Sequence, residues 1–107
     1  MVDVNGCYAT FRFYRPWARE VFLAGTFNNW RPDELRMASS GDGWWHASLL
    51  LPPGDYRFRY VADGRWFTDY AAFGVEYGPH GPDSILHVPR QDGLIRRAAA
   101  VRPQAAA

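Results

Sequence analysis

Turn signals punctuate this chain about every 8 to 12 residues, a rhythm that admits short strands and little else. They are Arg15-Pro16, Asn28-Asn29, Ser39-Ser40-Gly41-Asp42-Gly43, Pro52-Pro53-Gly54-Asp55 and Asp63-Gly64. Each bends the chain for a physical reason: proline fixes φ and removes a backbone donor, glycine supplies left-handed backbone, and Asn and Asp bond their own main chain. Between the turns the apolar residues alternate. Cys7 to Tyr14 sets Cys7, Ala9, Phe11 and Phe13 on one face, and Trp44 to Leu51 sets Trp45, Ala47, Leu49 and Leu51 against Trp44, His46, Ser48 and Leu50. Tyr56 to Ala62 sets Tyr56, Phe58, Tyr60 and Ala62 against Arg57, Arg59 and Val61, so both arginines leave one face. Val21 to Ala24 is a continuous apolar run, as in a strand covered on both sides.

Shorter strands are expected at Leu35 to Met37, Trp66 to Asp69 and Ser84 to Val88, with Met1 to Gly6 a polar lead and residues 70 to 82 a long loop holding at most one strand pairing. Trp17 is expected to pack on the end of the sandwich, Trp45 in the core, and Trp44 outward as a cover for its neighbours. The fold class is all-β, an antiparallel β-sandwich of immunoglobulin-like type over residues 1 to 89. Residues 90 to 107 form a C-terminal tail, with one or two helical turns between Asp92 and Val101 at most and otherwise disordered.

The run Val21 to Ala24 closes at Gly25 and opens into Thr26-Phe27-Asn28-Asn29-Trp30, a polar loop tipped by an indole. Asp63-Gly64-Arg65-Trp66 repeats the arrangement at the end of a second strand. Two tryptophans on polar loops suggest a flat aromatic platform. A sugar ring asks for such a surface, since its C–H faces are apolar, and for amide, guanidinium or carboxylate groups at the rim to meet its hydroxyls. Trp30 and Trp66 supply the surface, and Arg59, Asn28 and Asp83 the rim.

Other chemistries lack their parts. A net charge of +1, spread along 107 residues, provides neither the basic stripe of a nucleic-acid binder nor a membrane-surface patch. No apolar run approaches the ~20 residues of a membrane span. Cys7 stands alone, so no intrachain disulfide and no cysteine metal cluster can form. His46, His80 and His87 lack ligand spacing, and the acids fall mostly in turns, so neither a metal site nor a catalytic carboxylate pair can be argued. The expectation is a cytoplasmic protein with no cofactor, no metal and no enzymatic activity.

These same pieces, Val21 through Trp30, Leu51-Pro52-Pro53-Gly54, Tyr56 through Trp66 and Asp83-Ser84-Ile85-Leu86-His87-Val88, resemble in order and spacing the glycogen-binding domain of the AMP-activated protein kinase β subunit. More broadly they resemble carbohydrate-binding module family 48 and the early-set domain of isoamylases and branching enzymes. The likeness covers roughly residues 7 to 89. It implies an early-set sandwich that binds α-1,4-linked glucan, with Trp30 and Trp66 on the family's two stacking tryptophans. Arg59 falls on a basic contact that is Lys in the kinase module, and Asp83 on a hydrogen-bonding amide. The sequence departs where Pro79 and Gly81 replace a leucine that threads the sugar ring and a nearby threonine. Two alternatives stay beside the sugar reading: a protein-interaction module docking on a glucan-metabolising enzyme or kinase-like partner, and a piece of a larger glycoside hydrolase family 13 enzyme.

Overall fold

The computed structural model describes residues 1–90, and the tail expectation for residues 91–107 lies outside them. Among the described residues, ten strands make two antiparallel sheets. The first sheet holds β1 (Val2–Asn5), β2 (Tyr8–Tyr14), β6 (Trp44–Leu50) and β5 (Ala38–Ser39), in that order. The second runs β4 (Leu35–Arg36), β3 (Val21–Gly25), β7 (Gly54–Ala62), β10 (Gly81–Val88) and β9 (Val75–Gly78), with β8 (Arg65–Phe67) also paired to β7. The all-β immunoglobulin-like sandwich expected from the alternation is the fold observed.

Alternation decides which side chains meet between the sheets. Ala9, Phe11 and Trp45 enter from the first sheet, and Leu23, Phe58, Tyr60 and Leu86 from the second. Phe11 meets Phe58 edge-on at 5.0 Å, and Phe13 stacks on Tyr60 at 4.4 Å, geometries that suit the ring quadrupole. Tyr60 carries a hydroxyl into this core and must find a partner there. It donates to Asp69 at 2.7 Å, and the Met1 ammonium group donates to the same buried carboxylate. Burial first, and the Asp69 carboxylate second, push the Tyr60 hydroxyl far above the ordinary phenol pKa.

Four local expectations are corrected. Val2–Asn5 is a strand and not a polar lead, joined to β2 by the two-residue loop Gly6-Cys7. The segment after Leu35 does not end at one edge. Leu35–Arg36 pairs with β3 and Ala38–Ser39 with β6, so the chain changes sheets at Met37, whose side chain plugs the core. The third hairpin strand is Arg65–Phe67, shorter than expected at its C-terminal side because residues from Thr68 on turn away into side-chain-anchored backbone. Trp17 does not pack on the sandwich end; it stands 85% exposed. The Arg15-Pro16 corner instead turns inward through its main chain, Arg15 O accepting from Trp45 Nε1 at 3.0 Å, and Arg15 stacks over Phe67.

Strand β7 has three partners. Its residues 58 to 62 pair with β3 along one side. Along the other, residues 54 to 58 pair with β10 and residues 60 to 62 with β8. Arg59 therefore sits at the junction where β10 leaves and β8 begins. With Phe58, Tyr60 and Ala62 turned inward, Arg57, Arg59 and Val61 face out.

Gly25, at the end of β3, is the tightest point of this sheet. A Cβ there would stand 2.4 Å from the Arg57 carbonyl oxygen and 2.7 Å from the Phe27 ring. The conflict with backbone cannot relax by a rotamer change. Gly25→Ala is expected to destabilise the domain by about 1 to 3 kcal/mol, the usual cost of overpacking, read as a lowered urea midpoint with an unchanged m-value.

Candidate functional site

The strand-to-loop exit after Gly25 is held by one buried amide. Asn28 Oδ1 accepts from Gly25 N at 2.9 Å, and Asn28 Nδ2 donates to Leu23 O at 3.3 Å and Arg31 O at 3.2 Å. The side chain is only 9% exposed. Asn28 was expected at the rim to meet ligand; the structure instead commits both its amide hydrogens to the loop's own backbone. What it positions is Trp30. Asn29 and Trp30 follow with φ of 58° and 59°, and Trp30 N donates back to Gly25 O at 2.8 Å. Left-handed backbone is rare for a bulky residue and costs on the order of 1 to 3 kcal/mol, so the surrounding hydrogen bonds must enforce it.

Trp66 reaches the same place from β8. It pairs with Val61 across the ladder and so lies on the outer face of the second sheet, 42% exposed. The ring centroids of Trp30 and Trp66 are 6.4 Å apart, and their planes meet at 46°. The two indoles are thus neighbours, but the surface they make is bent and not the flat platform expected.

Beside them opens a groove of about 1040 Å³, at the top of the range for ligand pockets. Arg59 and Asp83 line it together with both tryptophans. Arg59 Nε and Nη2 both bind Asp83 Oδ1, at 2.8 and 2.7 Å, and the two side chains are only 11% and 15% exposed. A pair this buried is fixed in place.

Four of the five residues singled out from sequence, Trp30, Trp66, Arg59 and Asp83, come together here, and Asn28 lies behind them. Sequence reasoning missed Thr68, Tyr70 and His80, which also line the groove. Tyr70, 70% exposed, follows a rigid stretch: Thr68 Oγ1 donates to Pro82 O at 2.6 Å, Asp69 N to Ser84 Oγ at 2.6 Å, and Ala71 N to Asp69 Oδ1 at 2.9 Å. The aperiodic stretch from 70 to 82 concealed Tyr70 and His80, and Thr68 fell within the strand expected at Trp66 to Asp69. The one available signal was an aromatic directly after the hairpin strand. Pro79 lines the groove as well, and Gly81 opens β10 beneath Arg59.

The outer face beyond the groove is knitted by polar contacts: Arg57 Nε forms an ion pair with Glu76 Oε1 at 2.5 Å, and His87 Nδ1 lies within hydrogen-bond distance of Asp55 Oδ1, at 2.5 Å. The Arg57 hydrogen bond holds the Glu76 carboxyl below its ordinary value of 4.5.

A family model described as the glycogen recognition site of AMP-activated protein kinase matches residues 9–77, a span that includes Trp30, Arg59 and Trp66 and stops before Asp83. A 1,4-alpha-glucan branching enzyme, GlgB, of Lactobacillus acidophilus is 32% identical over 102 residues, which cover 86% of this chain and 16% of the enzyme. The human 5'-AMP-activated protein kinase subunit beta-2 is 31% identical over 74 residues, 69% of this chain and 26% of the subunit. The chloroplastic PTST homolog 2 of Arabidopsis thaliana is 36% identical over 52 residues, 49% of this chain and 10% of that protein. The chain thus spans about a quarter or less of the length of these relatives.

Two outcomes follow from the geometry. Asn28→Ala strands buried backbone groups of Gly25, Leu23 and Arg31 and is expected to cost about 1 to 3 kcal/mol in urea unfolding, with Trp30 emission shifted as the loop loosens. Glu76, its folded pKa depressed, contributes stability that is present above its unfolded value and lost as pH falls through the folded one. A carboxyl NMR titration should find its midpoint below 4.5 in the native chain and back near that value in Arg57→Gln.

Proposed function

The chain belongs to the family of the glycogen recognition site of AMP-activated protein kinase, and on that footing we propose that it binds α-1,4-linked glucan, without catalysis, in the groove beside Trp30 and Trp66. The carrying observation is their meeting at 6.4 Å beside a rim that holds the Arg59–Asp83 pair. Apolar faces of successive glucose units stack on the two indoles, and the 46° angle between the planes suits a chain whose residues turn from one to the next. Hydroxyls at the ring edge accept from Arg59 and donate to Asp83. Asn28 acts indirectly, by holding the backbone that carries Trp30.

The same groove argues for binding over hydrolysis. Glycosidic cleavage uses two carboxyl groups, about 5 to 9.5 Å apart. Among the described residues that line the groove, Asp83 is the one acid, and it is already paired with a guanidinium. The binding unit is residues 1 to 89. Glycogen, starch and maltooligosaccharides are the ligands of this chemistry, in a cytoplasmic setting. A second reading, docking on a glucan-metabolising enzyme, has one observation in its favour: Trp17, 85% exposed and in no ring contact among the described residues.

Titration of intrinsic fluorescence with maltoheptaose tests the first reading. A saturable change is expected in the native chain, weakened about tenfold or more in Trp66→Ala and in Trp30→Ala, since a desolvated stacking aromatic contributes on the order of 1 to 2 kcal/mol. Circular dichroism checks that each variant is folded. A folded native chain silent up to millimolar sugar would sink the proposal in favour of protein docking.

A further inference from the structure

We propose a second sugar-binding site on the opposite side of the sandwich, on the outer face of the first sheet, built around Trp44 and Tyr14. The ladder between β2 and β6 sets Tyr14 opposite Trp44 and Arg12 opposite His46, all turned away from the core that Phe13 and Trp45 enter. The Tyr14 and Trp44 rings stand 5.1 Å apart with planes at 55°. Their geometry is close to that of Trp30 and Trp66.

A hollow of about 320 Å³ adjoins Trp44, lined also by Arg12, Asp42, His46 and Met1. Its polar set of guanidinium, carboxylate and imidazole repeats that of the first groove, where Arg59, Asp83 and His80 line the space beside Trp30 and Trp66. Arg12 stands at the edge of the hollow, its guanidinium held there by Nη2 donating to Asp3 Oδ2 at 2.8 Å.

The rim is set in advance. Ser40 Oγ donates to Asp42 Oδ1 at 2.5 Å and lies 3.1 Å from His46 Nε2, and Trp44 N donates to Asp42 Oδ1 at 3.2 Å. Gly43, at φ +95°, lets the Tyr14 ring lie where a Cβ would stand 2.7 Å from it, so the ring rests against the turn. Preorganised aromatic and polar groups around a hollow of this size fit a single pyranose ring, stacked on Trp44 with its hydroxyls toward Arg12, Asp42 and His46. The ligand class, an α-glucan, rests on the reading of the first groove. Two sites on opposite faces would make the domain bivalent, able to bridge two chains or two turns of one polymer.

The test is a heteronuclear NMR titration of the whole chain with maltoheptaose, paired with calorimetry. Shifts are expected at the Trp44 indole and the His46 amide as well as at Trp66, with two sites per chain. Trp66→Ala should silence the first face and spare Trp44. Trp44→Ala should do the reverse, each lowering the stoichiometry to one. His46→Ala, which leaves both rings in place, should weaken only the second site several-fold. Shifts confined to Trp30 and Trp66, or loss of the Trp44 response in a folded Trp66→Ala, overturn the second site and leave the first standing. Silence on both faces overturns the glucan reading itself.

Discussion

The geometry of the groove depends on how one polar side chain satisfies the backbone where a buried strand becomes a surface loop. Strand β3 is covered on both faces and ends at Gly25, whose N–H lies inside the protein where no water can serve it. Asn28 supplies the acceptor and, through its two amide hydrogens, closes the loop onto Leu23 and Arg31. Because those bonds are local and buried, the next two residues can be held in left-handed backbone, and the second of them is Trp30. Without that clamp the indole would be a mobile side chain on a polar loop. With it, the indole is a fixed wall.

The other wall has a different origin. Trp66 is placed by ladder parity alone: once Val61 faces outward, its cross-strand partner must as well. Arg59 shares that parity and adds position, since it occupies the gap between the two strands that follow one another along the same side of β7. The groove is therefore a product of sheet register on one side and loop hydrogen bonding on the other.

Much of this was legible in sequence because period-two alternation is a direct imprint of a half-buried strand. The inward faces of β2, β6 and β7, and the outward direction of Arg57, Arg59 and Trp44, follow from it without further information. Where no period exists the reading failed. The two-residue strands β4 and β5 are too short to alternate, and their division between sheets depends on Met37 finding the core. Turn propensity marked Asn28 as a bend former but could not say that its amide would be spent on backbone. Trp17 illustrates the converse, since hydrophobicity predicted burial at a corner that instead buries only its main chain and the Arg15 contact with Phe67. His80 enters the groove in the turn between β9 and β10, and Tyr70 follows the Thr68 and Asp69 hydrogen bonds to β10, contacts that composition does not encode.

Strand β7, flanked by β3 on one side and by β10 and β8 in succession on the other, has a consequence for how the molecule opens and closes. Its ladders join residues from Val21 to Val88, so it can be completed only after long stretches of chain have been brought back to it. Such high contact order slows assembly. It also means that Arg59, on β7 itself, belongs to the last-opening cooperative unit of the domain, whereas Trp66 rides on the short edge strand β8, paired to β7 alone. The part of the groove that Arg59 lines therefore has no cheap local fluctuation through which to lose its shape, and its geometry is tied to the global stability of the fold.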